Sequence, residues 1–384
     1  MMSNRSINRL IVIGLRLTGI WPDSSYEIVI RCIWIVIMMF GQILQYRYII
    51  KQISCGGKLT NVVDGLSTAL PYSLLFFKLI SFWINRRLFK NMLMEMSQDW
   101  INFSKFNIDA MINKTKLAYH YSKLIMSVYA IAVFTYAGVF LEISRQNQDD
   151  EFNITSRQLL IKMDLPFAYY ESPLYEYVFV LQFFQLLSNA SAIAMFDALI
   201  ITLIFHVGGQ IEMLHEALEN ISVKNHKSLR NVVKPLIDLH YQIILGSENI
   251  ENLFSYIALM QLLCNTLIIC CIGFLIIVAL NLHMNIKELI NILLFYIAIT
   301  LEAFVFSYAG EYLNNKSLSI STSAYGSSWY LLDPRDRRVM ILLMIRSQRQ
   351  LTITAGKFMD LSMETFAKVI RTSASYVSIL YAMY

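Results

Sequence analysis

Charged residues are scarce in this chain of 384 residues, of which Asp, Glu, Lys and Arg make up only 15%. Soluble proteins carry about 25% charged residues, so this composition argues against a globular soluble protein. Glycine (14 residues) and proline (6 residues) are also few, which excludes collagen-like and low-complexity architectures. Hydrophobic residues reach 56%, the mean hydropathy is +0.50, and apolar residues come in blocks of about 20, the helix length that spans a bilayer. The sequence therefore predicts an all-α integral membrane protein.

Motifs of catalysis are missing as well. The six histidines show no metal-ligand spacing, and there is no glycine-rich phosphate loop, nucleophile elbow or pair of carboxylates within one span. The net charge of +5 reflects the Lys and Arg that cytoplasmic loops require, so it needs no nucleic-acid partner. We therefore expect neither an enzyme nor a cofactor, metal or nucleic-acid site.

Seven apolar stretches are long enough to span a membrane. They cover 28–50, 62–84, 124–143, 175–206, 254–280, 289–308 and 366–384. The N-terminal segment and every second loop after it hold 21 Lys and Arg residues, against 7 in the alternate loops. Because basic loops stay in the cytoplasm, this bias predicts a cytoplasmic N-terminus and an extracellular C-terminus. Apolar residues from Ile7 to Leu17 fall near one helical face, which predicts an interfacial helix before the first span.

The loop 142–173 carries more acidic than basic residues, as expected on the outer side. It also contains the sequon Asn153-Ile154-Thr155, which the predicted topology exposes to the lumen during synthesis. Asn153 is therefore the expected glycosylation site.

Four of the ionisable residues within predicted spans need weighing, because charge there is costly and suggests function by default. We expect Asp64 to be interfacial, Lys78 to extend towards the cytoplasm, and Asp197 to be reached by water at the inner end of its span. For Glu302 we expect a carboxylate hydrogen-bonded to a neighbour inside the bundle, with a role in ion passage or gating as the alternative. Aromatic residues in the outer halves of the spans are typical either of packing or of an apolar ligand cavity.

About a fifth of the chain, at its C-terminal end, carries a specific order of residues. It contains Ala355-Gly356-Lys357-Phe358, Leu361 through Phe366, Val369, Thr372-Ser373 and Ser375-Tyr376, preceded by Gly310-Glu311, Ala324-Tyr325 and Trp329-Tyr330. This order resembles the C-terminal signature of insect odorant receptors. The matched region covers 306–384, and the rest of the chain is similar to that family in length, span count and topology.

The resemblance implies a subunit of an odorant-gated, non-selective cation channel, opened by a small volatile organic ligand in the plasma membrane of a sensory neuron dendrite. Such channels are tetramers of seven-helix subunits, here a heterotetramer with an odorant co-receptor subunit. Residues 1–308 would hold six spans, the interfacial helix and cytoplasmic extensions of helices 4–6. Residues 309–384 would form a cytoplasmic anchor helix (338–362) and the pore-lining seventh helix. The connection between the fourth and fifth spans is only about 45 residues, shorter than in the co-receptor, so the chain resembles an odour-tuning subunit.

By the same resemblance, Ile379 is the hydrophobic gate of the pore, and Met383 lies one turn further out. Ser375 and Tyr376 lie on the same pore-lining helix. An apolar ring of this kind closes a pore by dewetting. The ligand would bind between the second, third, fourth and sixth spans, near Thr68, Tyr72, Phe134, Gly138, Val180, Phe184, Leu293 and Tyr296.

Two alternatives stay open. A seven-helix receptor that signals through G proteins needs the opposite orientation, and the sequence lacks an Asp/Glu-Arg-Tyr motif at the third span and Asn-Pro-x-x-Tyr in the seventh. A homomeric channel similar to gustatory receptors would carry Thr-Tyr-x5-Gln-Phe in the last span. Here Thr365 is followed by Phe366, and Thr372-Ser373 replaces Gln-Phe. A secondary transporter would show an internal repeat, and we see none.

Overall fold

The computed structural model describes residues 7–21, 26–102, 108–149, 159–219, 229–282 and 285–384. Within these ranges the chain forms ten α-helices, one 3-10 turn (Trp329–Leu331) and one two-stranded hairpin. The helices are α1 (Arg9–Leu17), α2 (Glu27–Ser54), α3 (Leu59–Ile84), α4 (Arg86–Asn102), α5 (Asp109–Asp149), α6 (Leu174–Glu219), α7 (Leu229–Asn281), α8 (Ile286–Gly326), α9 (Pro334–Ser347) and α10 (Met363–Met383). The strands are β1 (Thr354–Ala355) and β2 (Met359–Asp360).

In the described part of the chain, six helices are long and apolar enough to cross a membrane by length and composition: α2, α3, α5, α6, α7 and α8. The predicted class, an all-α membrane protein, is confirmed. The seventh apolar stretch forms α10, a 21-residue helix in which no membrane-length stretch is as apolar as those of the other six. The count of seven spans stays a prediction.

Helix α6 is the centre of the bundle. Its 46 residues extend about 69 Å, more than twice the hydrocarbon thickness of a bilayer. It lacks a continuous polar face, and a helix that is apolar all round is expected to be buried. Every residue from Ala192 to Ile211 is indeed buried, where α6 packs against α5, α7 and α8. This central helix positions the surrounding spans.

The short helix α1 docks onto the bundle through two apolar side chains. Ile11 and Leu15 are fully buried, and α1 packs against α6. The Asn8 side chain caps the helix by accepting a hydrogen bond from the Leu10 amide at 3.1 Å. Leu17 stays 65% exposed. The predicted helix is confirmed, and part of its apolar face is buried against protein.

The predicted anchor helix over 338–362 is wrong in its second half. Helix α9 ends at Ser347, and the chain continues as an extended segment and the β1–β2 hairpin. Two β-branched threonines flanking Ile353 favour extended backbone there. The turn then needs positive φ angles at Gly356 (62°) and Lys357 (64°), a region that a helix cannot include.

Three helices meet around this hairpin. The Glu251 carboxylate of α7 accepts a hydrogen bond from the Thr354 amide at 2.7 Å, and the Gly356 amide donates to the Ser255 carbonyl at 2.9 Å. On α8, Glu311 accepts a hydrogen bond from the Met363 amide, the first residue of α10, at 3.0 Å. The division of the chain at 308/309 therefore falls inside the continuous helix α8, which reaches the start of α10 directly.

Candidate functional site

Four ionisable or phenolic side chains meet in the middle of the bundle, each on a different helix. The Lys78 ammonium of α3 lies 2.6 Å from the Glu302 carboxylate of α8 and 3.8 Å from the Asp197 carboxylate of α6. The Tyr129 hydroxyl of α5 donates a hydrogen bond to Asp197 at 3.0 Å. Lys78, Asp197 and Glu302 are at most 2% exposed. We call Lys78, Tyr129, Asp197 and Glu302 the charge cluster.

The charge cluster corrects two expectations and confirms a third. Lys78 does not extend towards the cytoplasm, because two carboxylates on neighbouring helices hold its ammonium inside the bundle. Asp197 is not reached by water, because α6 is enclosed at that level. Glu302 is hydrogen-bonded to a neighbour, as expected. An ammonium that meets carboxylates offsets part of the cost of burying charge.

Asp64 lies near the N-terminal end of α3, on the predicted outer side, where it forms an ion pair with Lys162 of the loop before α6. Both side chains keep about a third of their surface exposed, consistent with the interfacial position predicted for Asp64. Burial alone would lower the pKa of Lys162, but the neighbouring Asp64 carboxylate raises it. The net shift of the Lys162 pKa is upward.

Closer to the predicted outer side, the four helices of the charge cluster contribute uncharged polar side chains. We call Tyr72 (α3), Tyr136 (α5), Asn189 (α6) and Asn291 (α8) the outer polar set. Tyr72, Asn189 and Asn291 are 7%, 1% and 9% exposed. The Tyr72 side chain lies beside those of Asn189 and Tyr136, and the Asn291 amide nitrogen lies 3.5 Å from the Tyr136 carbonyl oxygen. Of this set, sequence reasoning selected only Tyr72 as a ligand residue. For Asn189 and Asn291, the signal was an amide side chain in an otherwise apolar span.

The loop before α6 lies against the outer polar set. The Tyr136 hydroxyl donates to the Leu160 carbonyl at 3.1 Å. The Gln182 side chain pairs with both the amide and the carbonyl of Ile161, at 3.2 and 2.9 Å. Asp164 forms ion pairs with Arg47 and Lys51 of α2. This segment of the loop is therefore fixed to α2, α5 and α6 at the predicted outer end of the bundle.

The predicted ligand residues occupy two kinds of position. Tyr72 is buried, and Thr68 and Tyr296 are half-buried. The other five are exposed on this chain: Phe134, Gly138, Val180, Phe184 and Leu293. The structure therefore brings Tyr72 into the outer polar set and leaves these five at the surface of the chain. Their role in ligand binding stays a prediction.

The last helix has one covered face. Thr365, Val369 and Ser373 are buried against α7 and α8, and the Ser373 hydroxyl donates to the Thr266 carbonyl at 3.0 Å. The residues predicted for the pore are exposed on this chain: Ser375, Tyr376 (45%), Ile379 (56%) and Met383 (74%). These side chains are free to face something other than the chain's own bundle.

A small cavity of about 30 Å³ lies between α4, α6 and α7, where sequence reasoning expected no site. In its wall, Asp99 accepts a hydrogen bond from Gln210 at 2.8 Å and pairs with His206 at 3.0 Å. Burial and the neighbouring Asp99 carboxylate raise the pKa of Glu95 in the same wall. Across the described ranges, no three His, Cys, Asp or Glu side chains are arranged to hold a metal ion. The predicted glycosylation site, Asn153, lies outside the described residues.

Comparison with known proteins gives a consistent result. The family model described as 7tm Odorant receptor matches residues 58–374. Odorant receptor 10 of Aedes albopictus is 25% identical over 220 residues, which cover 56% of this chain and 57% of that receptor. Odorant receptor 82a of Drosophila melanogaster is 25% identical over 58% of this chain and 57% of its own length. The match therefore spans a little over half the length of these two relatives. Odorant receptor 13a of Drosophila melanogaster is 23% identical over 97% of this chain and 94% of that receptor.

Solved structures show the same fold. The insect olfactory receptor OR5 from Machilis hrabei, in complex with eugenol, matches with a TM-score of 0.77 at 16% identity, over 97% of both chains. A second structure of OR5 from Machilis hrabei gives a TM-score of 0.76 at 16% identity, over 96% of both chains. At this identity the likeness establishes the fold.

Proposed function

Because the chain belongs to the 7tm odorant receptor family, we propose that it is the odour-tuning subunit of an odorant-gated, non-selective cation channel. Membership of a receptor family also confirms the prediction that the chain is not an enzyme. The observation that carries the channel proposal is the last helix, α10. Its membrane-length stretch is less apolar than those of the six long helices, and it exposes Tyr376, Ile379 and Met383 while its other face is packed.

In the proposed assembly, this chain and co-receptor subunits form a heterotetramer in which α10 of each subunit lines a central pore. Ile379 would contribute to an apolar ring that excludes water when the pore is closed, with Met383 at the outer mouth. Ser375 and Tyr376 would line the same pathway. The hairpin and α9, with the inner end of α8, would form the cytoplasmic anchor that joins subunits.

The proposed ligand pocket lies between α3, α5, α6 and α8, around Tyr72 and the outer polar set. The other predicted contacts lie on the same four helices: Thr68 and Tyr296 are half-buried, and Phe134, Gly138, Val180, Phe184 and Leu293 are exposed on this chain. Binding shifts the equilibrium between closed and open states only by the difference in affinity for the two. Helix α8 supports a direct route for this coupling, since it carries Tyr296, Glu302 and the Glu311 that holds the start of α10.

The proposed topology has the N-terminus in the cytoplasm and the C-terminus outside. We place the receptor in the plasma membrane, in the dendrite of a sensory neuron. The basic bias of the loops supports this orientation. The partners are the co-receptor subunit, the lipid bilayer and a small volatile organic molecule.

The deciding experiment records currents from cells that express this chain with and without an odorant co-receptor, while G-protein signalling is blocked. We expect currents evoked by volatile ligands only when both subunits are present. Currents without the co-receptor would favour a homomeric channel similar to gustatory receptors. Responses that disappear with the G-protein block, together with glycan mapping that places the N-terminus outside, would favour the G-protein-coupled alternative.

The gate is tested by replacing Ile379 with Asn. A polar side chain lets water into an apolar constriction, so we expect a larger current without ligand. Ile37→Asn on α2 is the matched control, because Ile37 is 49% exposed and lies on a helix outside the proposed pore. Unchanged basal current in Ile379→Asn at normal surface expression removes Ile379 from the gate.

A further inference from the structure

The last helix carries a charge inside the seventh predicted span. Arg371 lies five residues from the inner end of the stretch 366–384, about 8 Å along the helix axis, and it is exposed on this chain. A charged side chain within a span is costly against lipid, so such residues face the interior of a bundle or a water-filled cavity. Its exposure excludes the interior of this chain's own bundle. The group that Arg371 faces in the membrane therefore lies outside the chain.

Helix α10 supplies no counter-charge for the Arg371 guanidinium. The one acid of this helix is Glu364, whose carboxylate lies 2.7 Å from the Lys368 ammonium and is thereby paired. Among the described residues, the guanidinium itself forms neither an ion pair nor a hydrogen bond. In the part of the chain that the structure describes, α10 therefore carries one positive charge that nothing neutralises.

The two helices packed against α10 supply no counter-charge either. Helix α7 has no charged residue from 252 to 281, the part that contacts α10. Beyond its first turn, α8 has two acids. Glu302 pairs with Lys78 at 2.6 Å, and Glu311 accepts a hydrogen bond from the Met363 amide at 3.0 Å. The charge of Arg371 must therefore be stabilised by water, by lipid headgroups or by another subunit.

The position of Arg371 around the helix favours water among these three. At 3.6 residues per turn, Arg371 lies about 160° around α10 from Val369, the centre of the buried face. Ser375 and Ile379 follow at successive intervals of four residues, each turned by about 40°. Arg371 therefore lies on the exposed side that carries the proposed pore residues, about 12 Å from Ile379 towards the predicted inner side.

We infer that Arg371 faces the aqueous path on the cytoplasmic side of the gate and there limits the passage of divalent cations. This inference rests on the proposed function, because it assigns one more residue to the same pore. A fixed positive charge repels a divalent cation twice as strongly as a monovalent one. At a distance of about 6 Å in water, the repulsion lowers the local concentration of Na⁺ about three-fold and that of Ca²⁺ about ten-fold. Arg371 is then a determinant of ion selectivity that this subunit contributes.

The first test removes the charge in the heteromer with the co-receptor. Inside-out patches expose the inner mouth to solutions of defined salt. The channel is opened by hexanal, hexanol or benzaldehyde, or without any ligand by Ile379→Asn. In about 20 mM salt, we expect Arg371→Gln to raise the outward unitary current two- to three-fold and the ratio of Ca²⁺ to Na⁺ permeability about three-fold. In about 1 M salt the difference should disappear, because the screening length falls to about 3 Å.

Two substitutions are matched to this one. Arg371→Lys keeps the charge and should keep the wild-type conductance at both salt concentrations, a result that a structural role of the guanidinium does not predict. Arg87→Gln on α4 removes the charge of another exposed arginine on the predicted inner side, but on a helix outside the proposed pore. It should leave both the unitary current and the permeability ratio unchanged.

The second test needs no current. Arg371→Cys is made together with Cys32→Ser and Cys55→Ser, which remove the two exposed native thiols. In sealed inside-out vesicles, we expect a membrane-impermeant maleimide to label the introduced thiol from the cytoplasmic side, because the proposed path is filled with water. A thiol that faces lipid is protected, since the reaction requires the thiolate.

Four outcomes count against these assignments. Currents at low salt that are identical in wild type and Arg371→Gln overturn the inference and keep the channel. Loss of assembly in Arg371→Gln but not in Arg371→Lys also overturns it, because the guanidinium then pairs with a carboxylate of another subunit. Protection of the introduced thiol has the same meaning. Labelling of that thiol in a receptor that carries no current under any opening condition removes the proposed channel function itself.

Discussion

Helices α6 and α10 differ in how much of their surface packs against other parts of the same chain. Helix α6 is covered on all sides over its central turns, and its buried Asp197 is matched by Lys78 and Tyr129 from the same chain. Helix α10 is buried only at Thr365, Val369 and Ser373, and the face that carries Tyr376, Ile379 and Met383 is exposed. An exposed apolar surface in a membrane can face lipid at no cost, so it needs no protein partner. The exposed face of α10 includes polar side chains, so it indicates a surface that something other than lipid covers. Helix α6 is complete within one subunit, whereas the exposed face of α10 is the one that the proposed assembly would cover.

The first prediction concerns Lys78 of α3, the buried cation that pairs with Asp197 of α6. Lys78→Met leaves the Glu302 and Asp197 carboxylates buried without their counter-charge, which we expect to lower the free energy of unfolding by about 3–5 kcal/mol. The thermal unfolding midpoint of the detergent-solubilised protein is the measurement. Lys58→Met, at an exposed outer position before α3, is the control. Recovery of part of the loss in Lys78→Met/Glu302→Met would attribute it to charge, and an unchanged midpoint in Lys78→Met would contradict the role of the cluster.

The second prediction compares the two helices with one substitution. Ile200 in α6 is fully buried and Ile379 in α10 is 56% exposed. We expect Ile200→Ala to destabilise the single subunit by about 2 kcal/mol, because it opens a cavity among packed side chains. Ile379→Ala should change it by less than about 0.5 kcal/mol. Measured on the monomer in detergent, equal losses at the two positions would mean that α10 is also enclosed by its own chain.

The third prediction perturbs the joint between α8 and α10. A Cβ atom on Gly310 would lie 2.6 Å from the Leu361 Cβ and closer still to the Leu361 carbonyl oxygen. We expect Gly310→Ala to destabilise the protein by about 1–2 kcal/mol through overpacking and to alter ligand-evoked gating. Gly326→Ala is the matched control, since no described atom lies within 4 Å of the position that its Cβ would take. Normal gating and stability in Gly310→Ala would show that the joint tolerates displacement.

The smallest effect is expected at the predicted outer interface, where Asp64 and Lys162 form a partly exposed ion pair. Lys162→Met should cost less than about 1 kcal/mol. The pKa of Lys162 is raised, so its stabilising contribution is present below the ordinary lysine pKa and lost only as the pH rises through the elevated value. The difference between variant and wild type should therefore be constant between about pH 6 and pH 9. A steep change within that range would contradict the assignment.

The sequence predicted those elements that depend on local composition. The last apolar stretch, 366–384, corresponds closely to α10 (Met363–Met383), and the all-α class followed from blocks of apolar residues. The hairpin after Ser347 was missed because the apolar pattern outweighed the β-branched residues and Gly356. The partner of Lys78 could not be read from the sequence, since Glu302 is 224 residues away. Helix facing was equally inaccessible, so the ligand-binding roles of Phe184 and Val180, both exposed on this chain, stay predictions.

The ion pair between Lys78 and Glu302 fixes α8 at a point between the proposed pocket and the start of α10. From Asn291 to Glu302 the helix extends about 16 Å, and from Glu302 to Glu311 about 14 Å. If α8 moves as a straight helix held at that point, it pivots there, and its two segments on either side of the pivot have nearly equal lengths. An outward movement of α8 by about one ångström beside the ligand would then move the other end of α8, beside Met363, inward by a similar distance. Under the proposed function, ligands that displace α8 in opposite directions would therefore favour opposite states of the pore, one as an agonist and the other as a blocker.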